Sequence, residues 1–106
     1  MKFGIDYFPD AEPDRVSGRQ YFDEVLELAE VAAELGYDSV KMVEHHFTSY
    51  GGYSPDPCLF LAACSQRARR MRMVTGAVLP VFNHPLKLAG QLTMLDAISA
   101  AAKNKN

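Results

Sequence analysis

The chain has 106 residues, of which 48% are hydrophobic and 23% are charged, and its formal net charge is -2. This length and composition are typical of one soluble globular domain. The 11 Lys and Arg nearly balance the 13 Asp and Glu, so neither nucleic acid nor a membrane surface is expected as a partner. No stretch reaches the roughly 18 apolar residues of a membrane span, and the acid at Asp6 interrupts any apolar leader. A cytoplasmic protein is the expectation.

The first half of the chain predicts a strand, a loop, a helix and a second strand. The first strand is predicted over 2–6, and a loop over 10–19, where Gly18 argues against a regular element. An amphipathic helix is predicted over 20–35, because apolar residues recur there at spacings of three and four. Gly36 tolerates left-handed backbone and therefore ends this helix.

The second half repeats the alternation. A strand is predicted over 38–43, and after a long polar and aromatic loop a helix begins with Asp56 as N-cap and Pro57 as first residue. The apolar run over 71–79 predicts a third strand, buried on both faces. A third helix is predicted from His84-Pro85. Its apolar stripe consists of Leu88, Leu92, Leu95 and Ile98.

The order βαβαβα with long connections predicts parallel strands and right-handed crossovers. Ligands of such sheets bind beyond the carboxyl ends of the strands. The segments that begin at Asp6, Glu44 and Leu79 are therefore expected to converge on one side of the sheet.

The two cysteines, Cys58 and Cys64, lie six residues apart in the second predicted helix. At about 100° per residue they lie on different faces of it and cannot pair with each other. We interpret both as small core hydrophobes in a reducing compartment.

The segment Glu44-His45-His46 holds the first candidates for chemistry. Neighbouring side chains of an extended chain point to opposite faces, so the two histidines do not easily share a metal ion, and no metal site is expected. One imidazole can face the mouth of the sheet while the other fixes the loop, and Glu44 can orient an imidazole or accept a hydrogen bond from a backbone amide. The residues leave open whether one histidine is catalytic or both are structural.

Gly76 is unusual because glycine weakens a strand and often marks a close approach to the backbone. A packing glycine and a ligand contact are both open. Aromatic residues at the predicted strand ends are either core residues or a platform for a flat ligand. They are Phe8, Phe47, Tyr50, Tyr53 and Phe82.

Six segments, in order over residues 1 to about 99, resemble the bacterial luciferase-like, flavin-dependent monooxygenase family. They are Met1-Lys-Phe-Gly4, Ala33-Glu-Leu-Gly-Tyr-Asp-Ser-Val40, Glu44-His-His-Phe-Thr48, Gly76-Ala-Val-Leu-Pro80, His84-Pro85 and Leu95-Asp96. The resemblance implies an α/β fold in which residues 1–99 form the first three βα units of a TIM (β/α)8 barrel with a parallel sheet.

The resemblance also implies an enzyme that uses reduced FMN and O2 to oxidise a small-molecule substrate such as an aldehyde. The deazaflavin F420 is the alternative cofactor. His45 matches the family's active-site histidine, an acid/base near the flavin, and Glu44 matches the acid beside it. The implied cofactor-binding residues are Asp6, Phe8, Thr75, Gly76 and Ala77. A non-prolyl cis peptide is common in the family at the last three of these.

A full barrel needs about 250 residues, and this chain supplies three of the eight units. Residues 100–106 depart from the family pattern and are expected to extend the last helix or to be disordered, so the ending is interpreted as a truncation or a frameshift. Without later units the FMN phosphate lacks an obvious anchor, and the isolated chain is expected to be inactive. Homo-oligomers through early helices or open sheet edges are expected. The alternative function is a self-associating structural fragment that binds no flavin.

Overall fold

A computed structural model describes residues 1–48 and 53–103, with side chains through residue 99. Two predicted features lie outside the described residues: Tyr50, one of the aromatic residues near the strand ends, and residues 104–106 of the tail. Strands and helices alternate as predicted. The elements are β1 (Gly4–Tyr7), α1 (Gly18–Glu34), β2 (Ser39–Met42), α2 (Pro57–Arg67), β3 (Arg72–Thr75) and α3 (Pro85–Lys103), with a short 3-10 helix at Pro80–Phe82 between the last two.

The three strands form one parallel sheet in the order β1-β2-β3, which confirms the predicted fold class. Met42 in the central strand is in register with Tyr7 on one side and Thr75 on the other. Equivalent positions at the carboxyl ends of all three strands therefore lie side by side. Within the described residues, β1 and β3 each pair only with β2.

Helix α1 begins earlier than its apolar pattern predicted. The Ser17 hydroxyl accepts a hydrogen bond from the Gln20 backbone N–H at 3.1 Å, so Ser17 is the N-cap and Gly18 is helical. The predicted loop over 10–19 is thus wrong at its end, because a capping serine compensates for the low helix propensity of glycine. The helix ends at Glu34, one residue earlier than predicted, with Leu35 as C-cap, and Gly36 just beyond it adopts the expected left-handed backbone with a φ of +92°.

Helix α2 forms the centre of the core. Asp56 caps it by accepting a hydrogen bond from Leu59 N–H at 3.1 Å, and Pro57 is its first residue, as predicted. Leu61 and Cys64 are fully buried in the core cluster that joins the helices to the sheet. Both cysteines are free and buried, which confirms their interpretation as core residues.

Strand β3 differs most from its prediction. The apolar run over 71–79 was expected to form one strand buried on both faces, but the strand spans only Arg72–Thr75 and Val74 is 38% exposed. The prediction assumed neighbours on every side, whereas the described residues supply a partner strand only from β2. Residues 76–79 of the run form the loop that leads to the 3-10 helix.

The predicted apolar stripe of α3 is buried only in part. Leu95 is 8% exposed, whereas Leu92 and Ile98 are 38% and 37% exposed. Helix α3 packs against α2, which accounts for the buried part of the stripe. The remaining apolar side of α3 has no covering element among the described residues.

Candidate functional site

The loops that follow β2 and β3 enclose a cleft of about 390 Å³ at the carboxyl end of the sheet. Its lining residues are Val43, Glu44, His45, His46, Gly76, Ala77, Leu79 and Phe82. Four predicted site residues, Glu44, His45, Gly76 and Ala77, are thus together in one cleft. Asp6, Phe8 and Thr75 are not among its lining residues.

Glu44 connects the two loops. Its side chain is 4% exposed. One carboxylate oxygen, Oε1, accepts a hydrogen bond from the Leu79 backbone N–H at 2.9 Å, and the other, Oε2, lies 2.7 Å from Nε2 of His46. Glu44 therefore both orients an imidazole and accepts from a backbone amide, the two roles that its position suggested. The imidazole that it orients is His46, whereas the resemblance singles out His45.

The ring of His46 is held on a second side by Phe82. The two ring centroids are 4.9 Å apart at an interplanar angle of 62°. Phe82 ends the 3-10 helix, and the Asn83 side-chain amide at that end donates to the Leu79 carbonyl at 2.7 Å. The segment after β3 is thus stabilised by a hydrogen bond of its own and by contacts with Glu44 and His46 of the loop after β2.

His45 lies in the wall of the cleft on a fixed backbone. Its N–H donates to the Ser54 carbonyl at 2.9 Å, and the Ser54 hydroxyl donates to the Val43 carbonyl at 2.6 Å. These bonds join both ends of the loop after β2. The loop therefore positions the half-buried His45 side chain from a rigid base.

Three of the aromatic side chains near the strand ends are exposed. Phe47 is fully exposed and adopts a φ of 53°, in the left-handed region that non-glycine residues visit uncommonly. Phe8 is 46% exposed and Phe82 is 66% exposed. The core alternative is therefore excluded for these three side chains.

Lys41 is a residue of this region that the sequence analysis missed. Its ammonium lies 3.6 Å from the Asp6 carboxylate, and its aliphatic chain covers Gly76. A β-carbon on Gly76 would lie only 2.6 Å from Cγ and 2.7 Å from Cδ of Lys41. The packing interpretation of Gly76 thus has a physical basis in this side chain. The signal that could have revealed it is a lysine at an alternate position of a strand otherwise suited to burial.

The peptide bond between Gly76 and Ala77 is cis, as the resemblance implied for this segment. Gly76 N–H donates to the Met42 carbonyl at 2.8 Å, which continues the strand pairing by one residue. Thr75, the last residue of β3, is in register with Met42. The three predicted residues of this segment therefore lie at the point where β3 opens into the cleft.

In residues 1–48 and 53–103, no group of three or more His, Cys, Asp and Glu side chains is arranged to hold a metal ion. No described helix is long and apolar enough to cross a membrane.

A family model described as luciferase-like monooxygenase matches residues 1–100. The chain belongs to the luciferase-like monooxygenase family. Similar proteins include the oxygenase component of the flavin-dependent trigonelline monooxygenase of Acinetobacter baylyi, which is 32% identical over 99 residues. That alignment covers 93% of this chain and 27% of the relative.

Two solved structures of monooxygenases are also similar. The monooxygenase RslO1 from Streptomyces bottropensis is 65% identical with a TM-score of 0.90, over 93% of this chain and 30% of that one. The oxygenating constituent of 3,6-diketocamphane monooxygenase from Pseudomonas putida, a type II Baeyer–Villiger monooxygenase in complex with FMN, is 29% identical with a TM-score of 0.85. That match covers 96% of this chain and 28% of the other. The chain thus spans less than a third of the length of these relatives.

Proposed function

We propose that this chain forms part of the flavin site of an FMN-dependent monooxygenase that uses reduced flavin and O2 to oxidise a small organic substrate such as an aldehyde. The observation that carries the proposal is the cleft in which His45 and the Gly76-Ala77 segment face a common space. Support comes from the family membership and from the FMN present in one similar structure. That monooxygenase is named for a diketone, a carbonyl compound like an aldehyde.

The residues of the cleft fit a flat aromatic group. Its volume of about 390 Å³ falls within the range of roughly 300–1,000 Å³ that is usual for small-molecule sites. Val43, Leu79 and Phe82 supply apolar wall, and the two histidines supply polar groups. Such a mixture can hold the ring of a flavin and orient a substrate beside it.

The predicted site residues other than Glu44 receive the following roles in this proposal. His45 moves a proton as acid or base near the flavin, and Ala77 and Gly76 contact the flavin ring, with Thr75 supporting them from the end of β3. Asp6 holds Lys41 through their ion pair. The half-exposed Phe8 offers an aromatic surface outside the cleft. FMN, when bound, supplies the redox chemistry that activates O2.

A titration with oxidised FMN, followed by flavin fluorescence, tests this site. Because the cleft can hold the flavin ring while the FMN phosphate lacks an obvious anchor in this chain, we expect weak but saturable binding to the wild type. Ala77→Trp should lose most of this affinity, because the new ring fills the cleft. Ala97→Trp makes the same change at an exposed position of α3 and is expected to bind FMN like the wild type. No saturable binding, or equal binding by Ala77→Trp, would overturn the proposal. A parallel titration with F420 decides between the two cofactors.

A second candidate function is a self-associating structural fragment that binds no flavin. Two observations favour it. The apolar side of α3 is exposed, with Leu86 at 78% and Met94 at 66%, and the β3 edge has no second partner strand in the described residues. Such surfaces favour association. Light scattering of the purified chain, with and without FMN, tests it: oligomers that form without binding flavin support this second candidate.

A further inference from the structure

Glu44 and His46 form a carboxylate–imidazole pair at the edge of the cleft. We propose that Glu44 is a positioning residue that holds His46 in the tautomer with a proton on Nε2, so that Nδ1 is the nitrogen that accepts a hydrogen bond from a ligand. The ligand group would carry an O–H or N–H donor. This inference deepens the proposed function and rests on it for the presence of a ligand in the cleft.

The hydrogen bonds of Glu44 determine which nitrogen is protonated. A carboxylate only accepts hydrogen bonds, and its Oε1 already accepts from the backbone N–H of Leu79, which can only donate. The 2.7 Å contact between Oε2 and Nε2 of His46 is then a hydrogen bond only if Nε2 carries the proton. Its length is in the range of charge-assisted bonds. In the neutral ring the second nitrogen, Nδ1, is therefore an acceptor.

The two side chains of the pair differ in their exposure to water. The Glu44 side chain is 4% exposed, so water competes little for its oxygens, whereas the His46 side chain is 31% exposed and reachable from the cleft. Phe82, packed against the ring at 4.9 Å, limits its rotation. A group that donates a proton to Nδ1 would leave an imidazolium whose charge Glu44 stabilises. Glu44 itself then needs no contact with the ligand.

The tautomer can be measured directly from the ring ¹⁵N chemical shifts of His46, in the flavin-free chain and at a pH at which the ring is neutral. We expect the wild type to be protonated predominantly on Nε2. In Glu44→Gln the amide oxygen still accepts the hydrogen bond from the Leu79 N–H, so the amide NH2 faces Nε2 of His46. Because this NH2 donates, Nε2 must accept, and the proton of the neutral ring moves to Nδ1. The expected result is a change from predominantly Nε2–H to predominantly Nδ1–H.

Glu30→Gln is the matched control, because Glu30 pairs with Arg67 on the helices and not with His46. We expect it to leave the tautomer unchanged. A wild-type ring protonated on Nδ1 or evenly mixed, or a folded Glu44→Gln chain without the change, overturns the inference. If Glu44→Gln does not fold, the wild-type tautomer alone decides. Because the sample holds no FMN, failure here is separate from a failure of flavin to bind.

Discussion

The aliphatic chain of Lys41 occupies the space that a side chain on Gly76 would need. Lys41 extends from the central strand across the end of β3, and its ammonium reaches the Asp6 carboxylate on β1. One side chain thus links all three strands on the face of the sheet that points away from the buried residues Val40 and Met42. The glycine at position 76 predicted a close approach to the backbone, and the side chain of Lys41 makes one.

We therefore predict that Gly76→Ala destabilises the chain by about 1–3 kcal/mol, the usual cost of forcing extra volume into a packed site. Three carbons of Lys41 would have to move, and the ion pair with Asp6 would be disturbed. Urea denaturation measures the effect. Gly90→Ala is the matched control: nothing lies within 4 Å of its added carbon, and in the middle of α3 it should stabilise by about 0.5–1 kcal/mol.

The double variant Lys41→Ala/Gly76→Ala separates packing from backbone effects. If Lys41 is the obstacle, its truncation removes most of the cost of the alanine at 76, so the two changes are strongly non-additive. Additive effects would show that something other than Lys41 requires the glycine.

Two leucines of α2 should differ in how much they contribute to the free energy of unfolding. Leu61 is fully buried, whereas Leu59, two residues earlier, is 72% exposed. Leu61→Ala is expected to lower the free energy of unfolding by about 2–5 kcal/mol, because it leaves a cavity among packed side chains. Leu59→Ala should change it by about 0.5 kcal/mol or less. Similar losses in both variants, measured by urea denaturation, would contradict the assigned core.

Stability at alkaline pH depends on Cys64. Burial raises the pKa of Cys64 to about 11 from its ordinary value of 9.0, against the lowering effect of the nearby Arg67 charge. The unfolded thiol therefore ionises before the folded one, and the stability present below pH 9 falls as the pH rises from about 9 to 11. Burial raises the pKa of Tyr21 to about 12, which prolongs the decline.

Urea denaturation between pH 8 and pH 11, compared with Cys64→Ala, measures this contribution. The variant starts from a lower stability but should lose less of it between pH 9 and pH 11. Equal slopes in both proteins would show that the Cys64 thiol does not contribute.

A kinetic test can separate an effect of His45 on turnover from an effect on FMN affinity. We predict that His45→Ala lowers turnover about 100- to 10,000-fold, as loss of an acid or base does, while the dissociation constant of FMN changes little. The assay uses a fusion of this chain to the remainder of the monooxygenase RslO1, with which it is 65% identical and of which it covers 30%. Equal losses in turnover and in affinity would instead make His45 a binding or folding residue.

Local signals predicted much of the fold. Gly36 ends α1 and Asp56 begins α2 as expected, because both effects act within one helical turn. The burial of β3 was misjudged, because an apolar pattern does not show whether a partner strand is present. The Glu44–Leu79 hydrogen bond joins residues 35 positions apart, so local sequence patterns could not predict it. The proximity of Glu44 and His46 could be foreseen from their spacing, but which histidine pairs with Glu44 depends on how the loop turns.

A native mass spectrum of the purified chain, recorded with and without oxidised FMN, tests the flavin site most directly. It reports the number of chains and the number of bound flavins in one experiment. We predict a species that carries FMN and saturates as the flavin concentration rises. A chain or an oligomer that remains free of flavin at every concentration would contradict the flavin site and favour the structural fragment.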